Sequence, residues 1–311
     1  MPELITSPSN PKIKRLLALQ QKSSARREAG LFVVEGQREL QHCIDAGFSI
    51  DTIFVCPPSL HGSQPLKTSG CAGPLPLSFD RLPASKLAAS SQSPAGPSLL
   101  RSRGWLRFSE AAAASTSGQA RIIEVTPEVY AKISYREGTE GIMAEVKTPE
   151  RKLADLQLPE RPLVVVLESV EKPGNLGAVL RSADAAGADA VLVCDPLTDL
   201  WNPNLIRASI GAVFTVPCVA CSSADAIAFL KARGIRILTA QLQDSSLYYD
   251  CDMTGGTALV MGTEATGLTD AWREAADAHI RIPMLGRLDS LNVSVSAAIL
   301  LFEAVRQRQN G

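Results

Sequence analysis

The stretch LVVVLESVEKPGNLGAVLRSADAAG, residues 163–187, decides the fold class of this 311-residue chain. It opens with five apolar residues in a row, which is typical of a strand covered on both faces. A loop with Gly174 and Gly177 follows, and residues 175–187 have the pattern of a helix that ends at a glycine. A buried strand that passes through such a loop into a helix is the building unit of α/β proteins.

The same alternation continues towards the C-terminus. We expect a mainly parallel sheet with helices on both faces, and a ligand site at the carboxyl ends of its strands. The last helix carries Leu291, Val295, Ile299, Phe302 and Val305 on one apolar face. Further strands are predicted at 190–194, 235–238, 258–261 and 280–284, and further helices at 204–214, 224–233 and 270–276.

Three loops that follow predicted strands combine glycine with polar residues. The first holds Asn175 and leads to Arg181; it is neither a dinucleotide fingerprint nor a P-loop. The second is MGTEATGL, 261–268, where two glycines bracket Glu264. The third ends in SLNVS, 290–294, at the start of the last helix, where free backbone N–H groups suit polar ligand edges. Each residue also has an ordinary structural explanation, as a cap or an ion-pair partner, but three such loops at one sheet edge favour a site.

These motifs resemble a known family. NLGAVLR (175–181), MGTEATGL (261–268) and IPMLGRLDSLNVSVSAAILLFE (282–303) are similar to the three motifs of SpoU, or TrmH-type, RNA 2′-O-ribose methyltransferases. The N-terminal segments NPKIKRLLAL (10–19), FVVEGQREL (32–40) and GTEGIMAEV (138–146) resemble the ribosomal-protein-L30-like substrate-binding domain of many members. Together they cover most of the chain outside residues 57–120.

The resemblance implies a trefoil-knotted methyltransferase domain, a smaller L30-like α/β domain, S-adenosylmethionine as cofactor, no metal, and a homodimer with its active site near the subunit interface. It assigns cofactor binding to Gly262, Ile282 and Leu291. The active-site polar residues that it implies are Asn175, Arg181, Glu264, Ser290 and Asn292. A guanidinium is nearly always protonated, so we favour Arg181 as a group that binds phosphate and polarises the ribose hydroxyl, with transient base action as the alternative.

The N-terminal half is the more basic one, with net charge +4 over residues 1–159 against −5 over 160–311. Residues 10–29 are predicted to form one basic amphipathic helix, with a proline at its first position. A run of bases is often only a solvated face; six near the N-terminus favour contact with a polyanion. The predicted RNA-contacting residues are Lys12, Lys14, Arg15, Arg26 and Arg27.

Composition divides the chain further. More than half of residues 57–120 are Pro, Gly, Ser or Ala, which predicts a low-complexity, disordered insertion. The expected domains are 1–146, a linker over 147–162, and 163–311. Within the first, strands are predicted at 31–34, 50–56, 121–125 and 141–146, with helices at 37–46 and 126–133.

The remaining features bound the class of protein. No apolar run approaches the roughly 18 residues of a membrane span, so we expect no membrane contact. Seven cysteines, mostly among apolar neighbours, favour reduced thiols in a cytoplasmic protein. We expect methylation of structured RNA, with ribosomal (large-subunit) RNA favoured over transfer RNA. The alternatives are a non-catalytic RNA-binding protein, which would not bind the cofactor, and a nucleotide-dependent oxidoreductase, which the missing dinucleotide fingerprint disfavours.

Overall fold

A computed structural model describes residues 2–57, 120–135, 141–263, 266–288 and 290–310. Within these residues the strands form two separate sheets, one from each half of the chain. Most of the expected insertion, residues 58–119, lies outside the described part, so its predicted disorder stays a prediction.

The elements of the first half are β1 (Glu3–Ile5), α1 (Pro11–Gln21), α2 (Ser23–Ala29), β2 (Leu31–Glu35), α3 (Gln37–Asp45), β3 (Ile50–Val55), β4 (Arg121–Val125), α4 (Pro127–Ile133) and β5 (Ile142–Lys147). The first sheet has the order β1-β4-β3-β5-β2. β1, β4 and β3 run parallel, whereas β5 pairs antiparallel with both β3 and β2. Strand β1, a three-residue edge strand, was not predicted from the sequence.

The expectation of one continuous helix over residues 10–29 is wrong. Asn10 caps α1 by accepting a hydrogen bond from the Lys12 N–H at 2.9 Å, and Pro11 takes the first helical position. Lys22 is extended, with φ −119° and ψ 120°, and separates α1 from α2. The break turns α2 so that buried Arg26 donates to the Leu19 carbonyl at 2.6 Å. Apolar periodicity does not encode this contact, which accompanies the break.

The elements of the second half are β6 (Leu163–Glu168), α5 (Pro173–Ala186), β7 (Ala190–Cys194), α6 (Pro203–Ala208), α7 (Ala212–Thr215), β8 (Cys218–Cys221), α8 (Ser223–Ala232), β9 (Arg236–Ala240), β10 (Ser246–Leu247), β11 (Thr257–Met261), α9 (Asp270–Ala275), β12 (Ala278–Arg281) and α10 (Val293–Asn310). The second sheet has the order β10-β12-β9-β11-β6-β7-β8, and every pairing in it is parallel. The α/β class and the parallel sheet are therefore confirmed.

Two features of this half differ from the sequence reading. The helix expected over 204–214 is split into α6 and α7, because Ile210 and Gly211 adopt left-handed backbone, with φ of +54° and +85°. Strands β8 and β10 were not predicted; both are short and lie at the edges of the sheet.

One apolar core joins the two sheets. Phe32 of β2 stacks on Trp201 with ring centroids 4.7 Å apart, and Phe48 meets Phe214 edge to face at 5.2 Å. The segment expected to be a linker takes part, since the guanidinium carbon of Arg151 lies 5.0 Å from the centre of the Phe48 ring. Leu156, in the same segment, packs into a second core against β6. The two halves are therefore in extensive contact.

All described cysteines are free thiols, and most are buried. Burial raises the pKa of Cys218 to about 12, so this thiol stays protonated at neutral pH.

Candidate active site

A cavity of about 600 Å³ opens at the carboxyl ends of β9, β11 and β12. The loops after these strands and the start of α10 form its wall, as expected for a parallel sheet. The three residues predicted to bind the cofactor, Gly262, Ile282 and Leu291, all line it, and so do Ser290 and Asn292.

Gly262 belongs to a tight turn that needs a glycine. A Cβ atom at this position would overlap the carbonyl oxygen of Gly267. Thr263 and Gly267 close the turn by exchanging backbone hydrogen bonds of 3.2 and 3.1 Å, and Gly267 has φ +70°. Bare backbone is thereby exposed on the cavity wall. Glu264 is outside the described residues, so its predicted role stays a prediction.

Asn292 joins two of the sequence motifs. Its side-chain oxygen accepts a hydrogen bond from the Ser294 N–H at 3.0 Å, which caps the first turn of α10. Its Nδ2 donates to Oδ1 of Asn175 at 3.2 Å, 117 positions away in the sequence. Asn175 is not the cap of α5, because that position belongs to Lys172. The first motif therefore meets the third through a direct amide contact beside the cavity.

Arg181 lies elsewhere on α5. It is exposed and follows Asn175 by six residues, which places it about 120° around the helix axis. It is not on the cavity wall. Within the described part of the chain its guanidinium has no hydrogen-bond or ion-pair partner, so the interpretation that it merely pairs with an acid is not supported. The guanidinium is available to an external anion.

Sequence reasoning missed three residues around this site. The carboxylate of Glu168, buried at the end of β6, accepts hydrogen bonds from the Thr269 N–H at 2.9 Å and the Thr269 hydroxyl at 2.7 Å. It anchors the chain that leaves the Gly262–Gly267 turn. Gln241 and Arg273 line the cavity, and each has a buried polar atom, Oε1 and Nε, that has no hydrogen-bond partner among the described residues. Gln241 directly follows β9, and that position was the signal available in the sequence.

The five residues predicted to contact RNA fall into different environments. Lys14 and Arg27 are exposed. Lys12 pairs with Glu3, and Arg15 pairs with Glu145, whose side chain is fully buried. The prediction for Arg26 is wrong. Arg26 is only 4% exposed, and its Nε lies 2.6 Å from Asp199, in the second half of the chain, so it joins the two halves instead.

The described residues contain no cluster of three or more His, Cys, Asp or Glu side chains that could hold a metal ion. In the same part of the chain, every helix is too short or too polar to cross a lipid bilayer.

Comparison with known proteins identifies the class to which this fold and site belong. Residues 162–302 match the model of the SpoU rRNA Methylase family, and residues 10–73 match the MRM3-like substrate binding domain. The chain is 38% identical to the 23S rRNA (guanosine-2′-O-)-methyltransferase RlmB of Pseudomonas putida over 55% of this chain and 71% of that protein.

Two solved structures match almost the whole chain. A crystal structure of an RNA 2′-O ribose methyltransferase is 34% identical, covers 98% of this chain and 99% of its own, and gives a TM-score of 0.71. The AdoMet-bound rRNA methyltransferase of Sinorhizobium meliloti is 26% identical, covers 98% and 97%, and gives a TM-score of 0.77. The chain therefore belongs to the SpoU rRNA methylase family.

The cavity suits the cofactor that such a match implies. S-adenosylmethionine combines an aromatic base and a positively charged sulfonium with hydroxyl, amino and carboxylate groups. The walls offer apolar side chains such as Met261 and Ile282 and the bare backbone at Gly262. They also offer the Gln241 oxygen and the Arg273 N–H, for which the described part of the chain supplies no hydrogen-bond partner. Buried polar atoms without partners are rare in folded proteins. A ligand with both apolar and polar groups in this cavity would supply hydrogen-bond partners for the Gln241 oxygen and the Arg273 N–H.

Proposed function

We propose that this chain is an S-adenosylmethionine-dependent 2′-O-ribose methyltransferase acting on ribosomal RNA of the large subunit. The Asn175–Asn292 contact carries the proposal, because it places two motifs of the SpoU rRNA methylase family beside a cavity suited to the cofactor. The relatives support the substrate, since RlmB acts on guanosine in 23S rRNA.

The proposed chemistry requires that the ribose be held in position and that its 2′-hydroxyl lose a proton to an acceptor. When bound, S-adenosylmethionine supplies an electrophilic methyl group on a sulfonium. A 2′-hydroxyl is a weak nucleophile at neutral pH, so alignment and polarisation must come from the protein. In the proposal, Arg181 binds an adjacent phosphate and donates a hydrogen bond to the 2′-hydroxyl oxygen. The oxygen takes the methyl group, the cofactor leaves as its neutral thioether, and the hydroxyl proton passes to water at this exposed site.

The other polar residues hold the partners in place. Asn292 and Asn175, joined at 3.2 Å, orient the ribose against the cavity mouth. Ser290 and Leu291 precede α10 on the cavity wall and contact the cofactor, as do Gly262 and Ile282. Glu264 braces the second loop. The exposed bases Lys14 and Arg27 contribute to RNA binding from the first half of the chain.

Further parts of the proposal concern organisation. Residues 1–146 form the substrate-binding domain, and 163–311 form the methyltransferase domain with its trefoil knot. Two copies associate through the exposed apolar face of α10, and the protein works in the cytoplasm, where ribosomal RNA is found. The free thiols of the described residues support a reducing compartment.

The Arg181→Ala variant tests the catalytic assignment. We expect methyl transfer to fall by about 100- to 1000-fold, because one electrostatic donor to the transition state is lost. Affinity for S-adenosylmethionine, measured by calorimetry, should not change, since Arg181 is not on the cavity wall. Arg233→Ala, at an exposed arginine that directly follows α8, is the matched control. Turnover by Arg181→Ala at the wild-type rate would remove Arg181 from the mechanism.

The substrate is tested by supplying labelled cofactor with separate pools of protein-free 23S rRNA and transfer RNA. Methylation of 23S rRNA at a single ribose supports the proposal, and methylation of transfer RNA alone contradicts it. A chain that binds RNA but no S-adenosylmethionine would be a non-catalytic binder.

A further inference from the structure

Tyr135 is a surface tyrosine placed where the two halves of the chain meet. It lies two residues after α4, in the first half, and its side chain is 64% exposed. The guanidinium carbon of Arg207, on α6 in the second half, lies 3.5 Å from the centre of its ring. The ring is thus open to solvent while it is stacked on a cation.

Glu35 at the end of β2 fixes this stacked pair. Its two carboxylate oxygens accept hydrogen bonds from the Tyr135 N–H at 3.1 and 3.3 Å. The same carboxylate lies 3.8 Å from the Arg207 guanidinium, and the side chains of Glu35 and Arg207 are only 9% and 12% exposed. Two other segments therefore hold Tyr135, Glu35 at its backbone and Arg207 at its ring, so little conformational freedom is left to lose when a ligand binds.

The pair lies next to the helix that carries the catalytic arginine. Ala208 and Ser209, which follow Arg207, pack directly against Gly177 of α5. Gly177 precedes Arg181 by one helical turn, about 6 Å along the axis. Arg181 therefore lies on the face of α5 that packs against the segment following Arg207.

The charges around the ring indicate what it can bind. Arg207 is matched by Glu35, so the cluster offers the face of an aromatic ring and not a net positive charge. Aromatic faces of this kind bind unpaired bases in single-stranded RNA, and they do so without strong dependence on base identity. A phosphate site would instead require an uncompensated cation.

We propose that the open face of Tyr135 stacks on an unpaired nucleobase of the RNA substrate and holds the strand beside Arg181. The inference rests on the proposed function and extends it by naming a contact outside the family motifs. The guanidinium of Arg207 covers one face of the ring, and the RNA base covers the other.

The test compares three substitutions. Tyr135→Phe keeps the ring, Tyr135→Leu keeps apolar cover over Arg207 without a π face, and Tyr135→Ala removes both. Binding to protein-free 23S rRNA is measured by filter retention at saturating cofactor. We expect Tyr135→Leu and Tyr135→Ala to weaken RNA binding about 5- to 150-fold, and Tyr135→Phe to bind RNA like the wild type. Tyr249→Ala, an exposed tyrosine in the second half, is the matched control and should bind like the wild type.

Two results would overturn the proposal: a Tyr135→Leu variant that binds RNA as tightly as the wild type, or a Tyr135→Phe variant as weak as Tyr135→Ala. Thermal midpoints and cofactor affinity, measured on the same samples, separate loss of folding from loss of stacking. Methyl transfer by the wild type to the same RNA is measured first. Its absence would refute the proposed function, whereas wild-type activity with an unaffected Leu variant would refute only the stacking.

Discussion

At Gly177 the helices α5 and α6 approach so closely that no side chain fits between them. A Cβ atom there would lie 2.5 Å from the Cβ of Ala208 and 2.8 Å from the backbone nitrogen of Ser209. Backbone cannot move aside as a flexible side chain can. The contact determines how α5 presents Asn175 and Arg181, so this glycine controls the site without touching it.

Gly177→Ala should therefore cost stability and activity together. We expect the free energy of unfolding to fall by about 1–3 kcal/mol, because the added methyl overpacks the helix contact. Methyl transfer should fall as well, since α5 must shift. Urea unfolding and a methylation assay measure the two effects.

Gly174→Ala is the matched control for that variant. Gly174 lies on the same helix, and its added Cβ would meet no atom within 4 Å. Alanine favours helix over glycine by about 0.5–1 kcal/mol, so this change should be neutral or stabilising. Equal losses of stability and activity in Gly177→Ala and Gly174→Ala would refute the steric explanation.

At the scale of an element, α1 shows that basic residues on one helix can have different tasks. Arg15 reaches across the first sheet to the buried carboxylate of Glu145 and also lies 3.5 Å from Asp51. Lys14, the preceding residue, is exposed. Charge alone would treat the two as equivalent, but only Lys14 is available to a phosphate without breaking an internal pair.

Arg15→Met should destabilise the protein, whereas Lys14→Met should not. Removing Arg15 leaves a buried carboxylate unpaired, which costs on the order of 3 kcal/mol. Lys14→Met should stay within about 0.5 kcal/mol of the wild type and should weaken RNA binding instead. Urea unfolding gives the first quantity, and filter binding at several salt concentrations gives the second.

The loss caused by Arg15→Met should depend on pH. Burial raises the pKa of Glu145, and Arg15 opposes this shift. A carboxyl whose pKa is higher in the folded state binds more protons when folded, so it favours folding at low pH and ceases to do so as pH rises through that pKa. The free energy of unfolding that Arg15→Met loses relative to the wild type should therefore increase from acidic to neutral pH. A deficit independent of pH would contradict this account.

For the molecule as a whole, the packing of α10 bears on the proposed association of two copies. The helix buries Ala297, Leu300 and Leu301 inside its own chain. The apolar face predicted from its sequence is a different one, and Val295 and Phe302 on that face are 46% and 49% exposed. Leu285 and Leu288, in the loop before the helix, are 97% and 75% exposed. This apolar surface adjoins the cavity, which is why we assign it to a second copy.

Phe302→Glu should convert the protein to a monomer and abolish most methyl transfer. A charge in the centre of an apolar interface must lose its hydration without gaining a partner. Sedimentation velocity measures the mass of the particle. Leu197→Glu, at a residue 65% exposed elsewhere on the second half, is the control and should leave the mass unchanged. A wild-type protein that sediments as a monomer would refute the assignment of this surface to a second copy.

The fold class and the positions of the site loops follow from the amino-acid sequence alone. An apolar run such as 163–167 forms a buried strand wherever it lies, and the glycines at 262 and 267 allow a turn that few other residues permit. These are local properties of the chain, and so they can be read from a short window. The family motifs extended that reading to the cofactor cavity.

Which of these residues meet depends on the packing of the folded chain. The Asn175–Asn292 contact, the burial of Arg26 against Asp199 and the stacking of Tyr135 on Arg207 each join segments more than 70 positions apart. Residue type and spacing do not specify such pairs, because they depend on how whole helices and sheets pack. For the same reason the sequence identified an apolar face on α10 but did not show that the structure leaves it exposed.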